Sequence, residues 1–249
     1  KGAKVINLSV GCNNCYSPVT DALFSELYEE GILVVAAAGN DGSTNKKYPA
    51  SYKGVVSVGS VTYFDSLSSS TQTNDQIEFT APGSGVYSTS IYQNRYTTKH
   101  GTSMASPHVS GVAALVWSHY PNCSAKQIRN VLAHSARDLG TSPGCDMEFG
   151  FGVPEADKAL DYLAREGCEG VEMMLSGEGG CDIAQLVDSR VQDRGKTLEG
   201  MNSFEEVSSS PSMSPKNNSI RRCAEKKATC SSHKMCCSSN CSFKKFECK

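Results

Sequence analysis

A run of small residues brings one serine to the start of an apolar helix. In Gly101-Thr102-Ser103-Met104-Ala105-Ser106-Pro107-His108-Val109-Ser110-Gly111, Ser103 begins a predicted helix that extends to His119. The helix N-terminus and its free backbone N–H groups favour negative charge near the Ser103 hydroxyl. Gly101 leaves room for a substrate to approach closely. The arrangement suits a nucleophilic hydroxyl, with an ordinary helix N-cap as the alternative.

Two further segments place small or polar residues directly after apolar strands. Val34 to Ala38 is followed by Gly39 and Asn40, and Val5 to Leu8 is followed by Ser9, Val10 and Gly11. Taken alone, Asn40 is also explained as a turn residue, because Asn-Asp-Gly is a favourable turn sequence. The run from Val5 to Leu8 is equally explained as a core strand.

Taken together, these motifs resemble the subtilisin-like serine proteases (subtilases, peptidase S8 family). The resemblance to the active-site serine signature of that family implies that Ser103 is the nucleophile. It also implies that the Asn40 side-chain amide donates to the oxyanion of the tetrahedral intermediate. In this family, loss of such a donor costs about 2.7–4 kcal/mol of transition-state stabilisation. The sequence therefore predicts a serine endopeptidase that acts on protein or peptide substrates.

The same resemblance assigns the substrate-binding segments. Ser9, Val10 and Gly11 would bind extended peptide by strand addition. The facing wall of the pocket for the residue before the scissile bond would consist of Ala37, Ala38 and Gly39. Phe79 to Gly83 and Gly150 to Ala156 resemble two of the family's turns and assign no chemistry.

The sequence contains no motif for the general base or for the carboxylate that orients it. Subtilases mark them with His-Gly-Thr-His and Asp-Ser/Thr-Gly, and neither pattern occurs in the 249 residues. His108 lies about 140° around the helix from Ser103, so a core or supporting role is expected. His100 is too close in sequence to serve as base, and the remaining histidines are expected at the surface: His119, His134 and His233.

These absences support two hypotheses. In the first, the chain is the C-terminal part of a catalytic domain whose Asp and His lie outside this sequence, so that the chain as given is inactive by the normal mechanism. In the second, it is a non-catalytic protease homologue that acts as a binding protein through its cysteine-rich tail. Asp-Ser/Thr-Gly and His-Gly-Thr-His motifs upstream of Lys1 would distinguish the two.

Alternating strand and helix patterns predict an α/β fold, with a parallel sheet and helices on both faces. The predicted strands are Val5–Val10, Ile32–Ala38 and Val55–Val61. The helix from Val19 to Glu30 is predicted to bury Val19, Leu23 and Leu27, and the helix from Ser103 to be buried around most of its circumference. Two amphipathic helices follow, one capped by Ser124 and one beginning near Pro154.

The twelve cysteines indicate an oxidising compartment, and hence a secreted protein. Cys12 and Cys15 predict a local disulfide, or disulfides to two separate partners, in preference to redox chemistry. Cys123 and Cys145 flank a helix, and Cys168 and Cys181 bracket a Gly-rich stretch, so each of these two pairs could form a disulfide. Asp65 is a candidate calcium ligand, as acidic loops are in some subtilases, with a solvated turn carboxylate as the alternative. No other cofactor or metal is predicted.

The tail contains six cysteines in a spacing that resembles the inhibitor cystine knot, or knottin: Cys223, Cys230, Cys236, Cys237, Cys241 and Cys248. Fifteen connectivities are possible from sequence alone. The resemblance implies pairing of Cys223 with Cys237, Cys230 with Cys241, and Cys236 with Cys248. The tail is basic because of its lysines, among them Lys226, Lys227, Lys234, Lys244 and Lys245. This favours an anionic surface such as a polysaccharide, although a solvated face is the simpler interpretation.

Composition sets the remaining limits. A net charge of −2 gives no support for nucleic acid as a partner, and no apolar run is long enough to span a membrane. We predict a subtilase-like domain over 1–166, an irregular extension with a Ser/Pro-rich linker over 167–222, and the knottin-like module over 223–249.

Overall fold

The computed structural model describes residues 2–91, 95–141, 143–171 and 180–181, and the backbone of 241–242 and 247–248. Its elements in chain order are β1 (Val5–Leu8), β2 (Cys12–Asn13), α1 (Pro18–Glu29), β3 (Leu33–Ala37), β4 (Lys47–Tyr48), β5 (Val55–Val61), β6 (Ile77–Pro82), β7 (Val86–Thr89), β8 (Tyr96–Lys99), α2 (Thr102–His119), α3 (Ala125–Ser135), β9 (Ala136–Arg137), β10 (Val153–Pro154), α4 (Ala156–Glu166), β11 (Cys241–Ser242) and β12 (Glu247–Cys248). The chain divides into two compact units, 1–195 and 196–249. The boundaries at 166 and 222 stay predictions.

Four parallel strands form the central sheet in the order β1-β3-β5-β6. β3 and β5 are buried along their whole length, as their continuous apolar sequences predict. β1 has β3 as its only partner among the described strands and so forms one edge of the sheet. The sheet and the helices on its two faces confirm the predicted α/β class.

Successive side chains of β3 point to opposite faces of the sheet, as strand geometry requires. Leu33 and Val35 pack in the core cluster that includes α2, α3 and α4. Val34 and Ala36 pack on the other side with Phe24 and Leu27 of α1. The core therefore has two layers, with three helices on one face of the sheet and one helix on the other.

The buried face of α1 differs from the predicted one. Val19 is 80% exposed and Leu23 is 51% exposed, whereas Tyr28 is 3% exposed and Phe24 packs against the core. The sequence carries apolar residues on two adjacent stripes of this helix, and the larger aromatic side chains face the sheet. The predicted burial of Val19 and Leu23 was therefore wrong.

Helix α2 crosses the sheet and contacts all four of its strands. Its inner side is buried, but Pro107, His108, Gly111, Ala114 and Leu115 are exposed, so the helix is less enclosed than predicted. No helix in the described part of the chain is long and apolar enough to cross a membrane.

Disulfides fix the connections around α3 and α4. The predicted Cys12–Cys15 bond is present, but Cys123 pairs with Cys168 and Cys145 pairs with Cys181. The two sequence-local alternatives, Cys123–Cys145 and Cys168–Cys181, were wrong. Packing of α3 against α4 brings the start of α3 beside the residues that follow α4, where Gln127 Nε2 donates to the Cys168 carbonyl at 2.9 Å.

In the second unit, β11 and β12 pair antiparallel, with Cys241 opposite Cys248. The other four cysteines of the predicted knottin-like module, Cys223, Cys230, Cys236 and Cys237, lie outside the described residues. The knottin-like connectivity therefore stays a prediction.

Candidate active site

Ser103 lies in the first turn of α2, directly after the helix begins at Thr102. Its hydroxyl donates to the Ser9 carbonyl at 3.4 Å, and the Ser9 hydroxyl donates to the Ser103 carbonyl at 2.8 Å. The first four N–H groups of a helix have no partner within it, so this turn offers backbone donors beside the hydroxyl. The structure thus brings the serine together with the residue that follows β1.

Asn40 is fixed in one orientation by Thr102. The Thr102 backbone N–H donates to Asn40 Oδ1 at 2.8 Å, and the Thr102 hydroxyl donates to the same oxygen at 3.0 Å. Because a backbone N–H can only donate, the atom that it meets must be the amide oxygen. The amide nitrogen Nδ2 donates no hydrogen bond to any of the described residues. It is therefore available as a hydrogen-bond donor.

Thr102 is a site residue that sequence reasoning missed. Its side chain is fully buried, and its hydroxyl also accepts from the Gly39 N–H at 3.1 Å. One hydroxyl thus joins the end of β3, Asn40 and the start of α2. Its place beside Ser103 in the motif was the available signal, but nothing in the sequence shows which residues it contacts.

Gly101 makes the close packing of the serine loop possible. Its φ of 129° is a conformation that other residues rarely adopt, and a Cβ at this position would lie 3.1 Å from Asn40 Oδ1. The Gly101 N–H donates to the Gly83 carbonyl at 2.8 Å. The Phe79 to Gly83 segment therefore supports the loop, and the structure shows most of it as strand β6, which the sequence patterns did not predict.

Asn7 ties β1 to α2. Its Oδ1 accepts from Ser106 Oγ at 2.7 Å and Ser110 Oγ at 3.2 Å, while its Nδ2 donates to Ser9 Oγ at 3.0 Å. Sequence reasoning missed this role. The signal was a polar residue in an otherwise apolar strand, but Ser106 and Ser110 are about a hundred residues away along the chain.

The predicted substrate-binding segments follow β1 and β3, which are neighbours in the sheet, and Ser9 contacts Ser103. Ser9, Val10 and Gly11 continue from the edge strand β1, and Val10 is 63% exposed. Ala37 and Ala38 are each 3% exposed, so little of either residue is open to a ligand in this structure. Gly39 is half-buried and ends the wall next to Asn40.

A cavity of about 400 Å³ lies between the β7–β8 hairpin and the start of α2. Met104, Pro107 and His108 line one side, and Val86, Thr97 and Lys99 are among the residues on the other. Met104, which lines this cavity, follows the candidate nucleophile Ser103 directly in the chain.

None of the four histidines in the described ranges hydrogen-bonds to Ser103. His108 is exposed and its Nδ1 contacts the Met104 carbonyl at 2.7 Å, so the expected core position was wrong. His100 Nδ1 accepts from the Gly85 N–H at 3.0 Å. His119 is exposed, whereas His134 is half-buried and stacks on Tyr162, contrary to the predicted surface position.

Asp65, the candidate calcium ligand, forms an ion pair with Arg137. Its carboxylate accepts from Arg137 Nη1 at 2.7 Å and from Nη2 at 3.2 Å. The hydrogen bond from Arg137 lowers the pKa of Asp65 below its ordinary value. The described residues contain no cluster of three His, Cys, Asp or Glu side chains that could hold a metal ion. Calcium elsewhere in the complete domain stays a prediction.

Comparison with known proteins gives the same family for most of the first unit. A family model described as "Subtilase family" matches residues 1–152. Subtilisin DY of Bacillus licheniformis is 45% identical over 145 residues, which cover 57% of this chain and 52% of that protein. The minor extracellular protease Epr of Bacillus subtilis is 38% identical over 151 residues, which cover 60% of this chain and 23% of Epr. The chain thus spans about half the length of the first relative and less of the second.

Solved structures resemble the fold. The psychrophilic subtilisin-like protease Apa1 from Pseudoalteromonas sp. AS-11 superposes with a TM-score of 0.62 at 21% identity, covering 67% of this chain and 72% of Apa1. A lanthipeptide protease superposes with a TM-score of 0.57 at 29% identity, covering 65% of this chain and 62% of that structure. Since the family model matches well over half of its residues, the chain belongs to the subtilase family.

Proposed function

We propose that this chain supplies the nucleophile, the oxyanion donor and one substrate-binding edge of a serine endopeptidase. The observation that carries the proposal is the fixed orientation of Asn40, whose Oδ1 accepts two hydrogen bonds from Thr102. That orientation leaves Nδ2 available as a donor. A preorganised donor of this kind stabilises charge that develops only in the transition state.

In the proposed reaction, Ser103 Oγ attacks the carbonyl carbon of the scissile peptide bond while a histidine takes the hydroxyl proton. Asn40 Nδ2 and the Ser103 backbone N–H bind the oxyanion. Collapse of the intermediate breaks the C–N bond, and the histidine returns the proton to the leaving amine. Water then releases the acyl group from Ser103 by the same steps.

The histidine and its aspartate would come from residues outside these 249. Two observations support this: the described histidines make no hydrogen bond to Ser103, and one side of α2 beside it is uncovered. The coding sequence upstream of Lys1 should therefore contain in-frame Asp-Ser/Thr-Gly and His-Gly-Thr-His motifs.

Peptide binding would use the edge of β1. A substrate in extended conformation would pair with Ser9, Val10 and Gly11 as an added strand. The described structure leaves this edge without a strand partner, and Val10 is exposed there. The disulfides at Cys12–Cys15, Cys123–Cys168 and Cys145–Cys181 support a secreted protein.

The non-catalytic alternative is supported by one observation, the pairing of Ser103 Oγ with the Ser9 carbonyl instead of a base. Hydrolysis of peptide amides by the complete protein tests the two against each other. We expect activity that Ser103→Ala abolishes. An inactive complete protein that contains both upstream motifs would contradict the endopeptidase proposal, and the cysteine-rich tail would then be the place to look for binding.

A further inference from the structure

A buried lysine that the proposed mechanism does not use lies beside the substrate cleft. The Lys47 side chain in β4 is 8% exposed, and its ammonium donates to Asp41 Oδ2 and Asn13 Oδ1. Lysine is rarely buried to this extent unless it is paired. The hydrogen bond from Lys47 lowers the pKa of Asp41, so this partner is a carboxylate at neutral pH.

The stem of Lys47 passes between the two predicted substrate-binding segments. A Cβ built on Gly39 would lie 2.6 Å from Lys47 Cγ, and one built on Gly11 would lie 3.9 Å from Lys47 Cβ. Because Gly11 belongs to one predicted substrate-binding segment and Gly39 to the other, the Lys47 side chain lies close to both.

Local structure holds this lysine in place. β2 pairs with β4 so that Asn13 lies opposite Lys47, and the Cys12–Cys15 disulfide closes the turn that contains Asn13. Tyr52 anchors the same turn by donating to the Cys15 carbonyl at 2.8 Å. The Lys47 ammonium is therefore held in one position by Asn13 and Asp41.

We propose that Lys47 is the floor of the pocket for the residue before the scissile bond and makes that pocket select aspartate or glutamate. This inference rests on the proposed function, because it takes Ser9–Gly11 and Ala37–Gly39 as the walls of the substrate cleft. It adds the specificity of that cleft, which the family resemblance does not assign.

Donor counting supports an acidic side chain. An ammonium has three N–H donors, and the described residues supply two acceptors, Asn13 Oδ1 and Asp41 Oδ2. A substrate carboxylate would be the third acceptor. Asp41 is 48% exposed, so water screens its charge, while Lys47 is nearly buried. A substrate side chain that enters between the two segments would therefore meet the positive charge of Lys47 and not the negative charge of Asp41.

The same geometry disfavours other side chains. A lysine or arginine would bring a second cation beside Lys47, and Asp41 is already bound to Lys47. A large aromatic side chain would have to displace the Lys47 stem from its contact with Gly39. A glutamine has the shape of glutamate without its charge, so it is the matched comparison for the charge alone.

Product peptides of one sequence, ending in Glu, Gln, Phe or Lys, test the proposal on the complete protein by calorimetry. The Glu peptide is expected to bind roughly tenfold more tightly than the Gln peptide, from one charge-assisted hydrogen bond. Equal binding of the two, or tighter binding of the Phe or Lys peptide, would overturn the proposal. This comparison uses the unmodified protein and does not depend on the folding of any variant.

Variants assign the effect to Lys47. Lys47→Met should remove the Glu preference, and Lys46→Met, which alters the exposed neighbour paired with Asp75, should leave it unchanged. A Glu preference that survives in Lys47→Met would overturn the assignment. Binding requires no turnover. If the natural protein prefers the Glu peptide but hydrolyses no peptide, only the proposed function is contradicted. Hydrolysis without acidic preference would contradict only this inference.

Discussion

At the scale of single residues, the site depends on a hydroxyl that does no chemistry itself. Thr102 Oγ1 accepts from the Gly39 N–H and donates to Asn40 Oδ1, so it fixes both the end of β3 and the Asn40 side chain, the proposed oxyanion donor. Because this buried hydroxyl both accepts and donates a hydrogen bond, it holds Gly39 and Asn40 in one geometry. Thr102 is thus a positioning residue.

Replacement of Asn40 by alanine should remove the oxyanion donor and leave the nucleophile in place. We expect kcat of the complete protein to fall by about 10²–10³, the loss known for such a donor in a subtilisin, with little change in KM. Steady-state hydrolysis of a peptide amide measures this. Asn122→Ala, which alters an exposed asparagine before α3, serves as control. An unchanged kcat in Asn40→Ala would exclude Asn40 as the donor.

Thr102→Val should lower kcat because Asn40 Oδ1 and the Gly39 N–H each lose a hydrogen-bond partner. A buried polar group left unpaired costs about 1–3 kcal/mol. If loss of the Thr102 hydroxyl displaces Asn40, kcat should fall by up to roughly a hundredfold. Thr102→Ser keeps the hydroxyl and should retain most of the activity. Equal kcat values for the two variants would show that the hydroxyl does not position the site.

At the scale of elements, an ion pair joins β6 to α3 inside the core. Arg129 Nε donates to Glu78 Oε1 at 2.6 Å, and both side chains are fully buried. Burial disfavours the Arg129 cation, but the Glu78 carboxylate beside it raises the net pKa of Arg129 above its ordinary value. The guanidinium also lies 5.0 Å from the Tyr28 ring, so the pair contacts α1 as well.

Arg129→Met should destabilise the fold by about 3–5 kcal/mol, because it leaves the Glu78 carboxylate buried without a partner. The double variant Glu78→Leu/Arg129→Met removes both charges and should recover much of that loss. Urea denaturation of the complete protein gives the two free energies of unfolding. A double variant no more stable than Arg129→Met would contradict this account of the pair.

The Asp65–Arg137 pair joins the loop after β5 to β9 and should make a small, pH-dependent contribution to stability. Because the hydrogen bond from Arg137 lowers the Asp65 pKa, the contribution is present above the unfolded value of about 4. It is lost as the pH falls through the lowered value.

We therefore expect Asp65→Asn to lower the melting temperature slightly at pH 7, with the difference from the natural protein vanishing once the pH has fallen below the lowered Asp65 pKa. Differential scanning calorimetry across this range measures it. Asp161→Asn, an exposed carboxylate in the middle of α4, is the comparison variant. A difference that grows as the pH falls would mean that the Asp65 pKa is raised.

The elements also show where sequence patterns stop being informative. β3 and β5 are continuous apolar runs, and Ser124 and Gln127 form a capping box at α3, so these were predictable from local chemistry. β6 was not, because Glu78 and Thr80 interrupt its apolar pattern, and only the distant Arg129 makes Glu78 tolerable there. The pairing of Cys123 with Cys168 depends in the same way on packing between α3 and α4.

At the scale of the whole molecule, three separate segments meet at one edge of the sheet. Ser9 follows β1, Asn40 follows β3, and Ser103 begins α2, which packs across both strands. Ligands of open α/β sheets commonly bind beyond the carboxyl ends of the strands, and this site follows that rule. The sequence motifs predicted each segment, whereas the contacts through Asn7 and Thr102 required the structure.

The outer side of α2 indicates where further residues would pack. Leu115 is 47% exposed there, and an apolar cavity of about 380 Å³ lies between Val5 and Trp117 at the edge of β1. This apolar surface lies near the end of α2 distant from Ser103, and further residues of a complete domain would be expected to pack there.

Reaction of the complete protein with a fluorophosphonate, followed by peptide mass spectrometry, tests the central claim most directly. Such a reagent modifies only a serine whose hydroxyl has been activated by a base. We predict a single adduct on Ser103 that is absent from Ser103→Ala and strongly slowed in Asn40→Ala. No adduct on Ser103, in a protein shown to contain both upstream motifs, would contradict the assignment of this residue as the nucleophile.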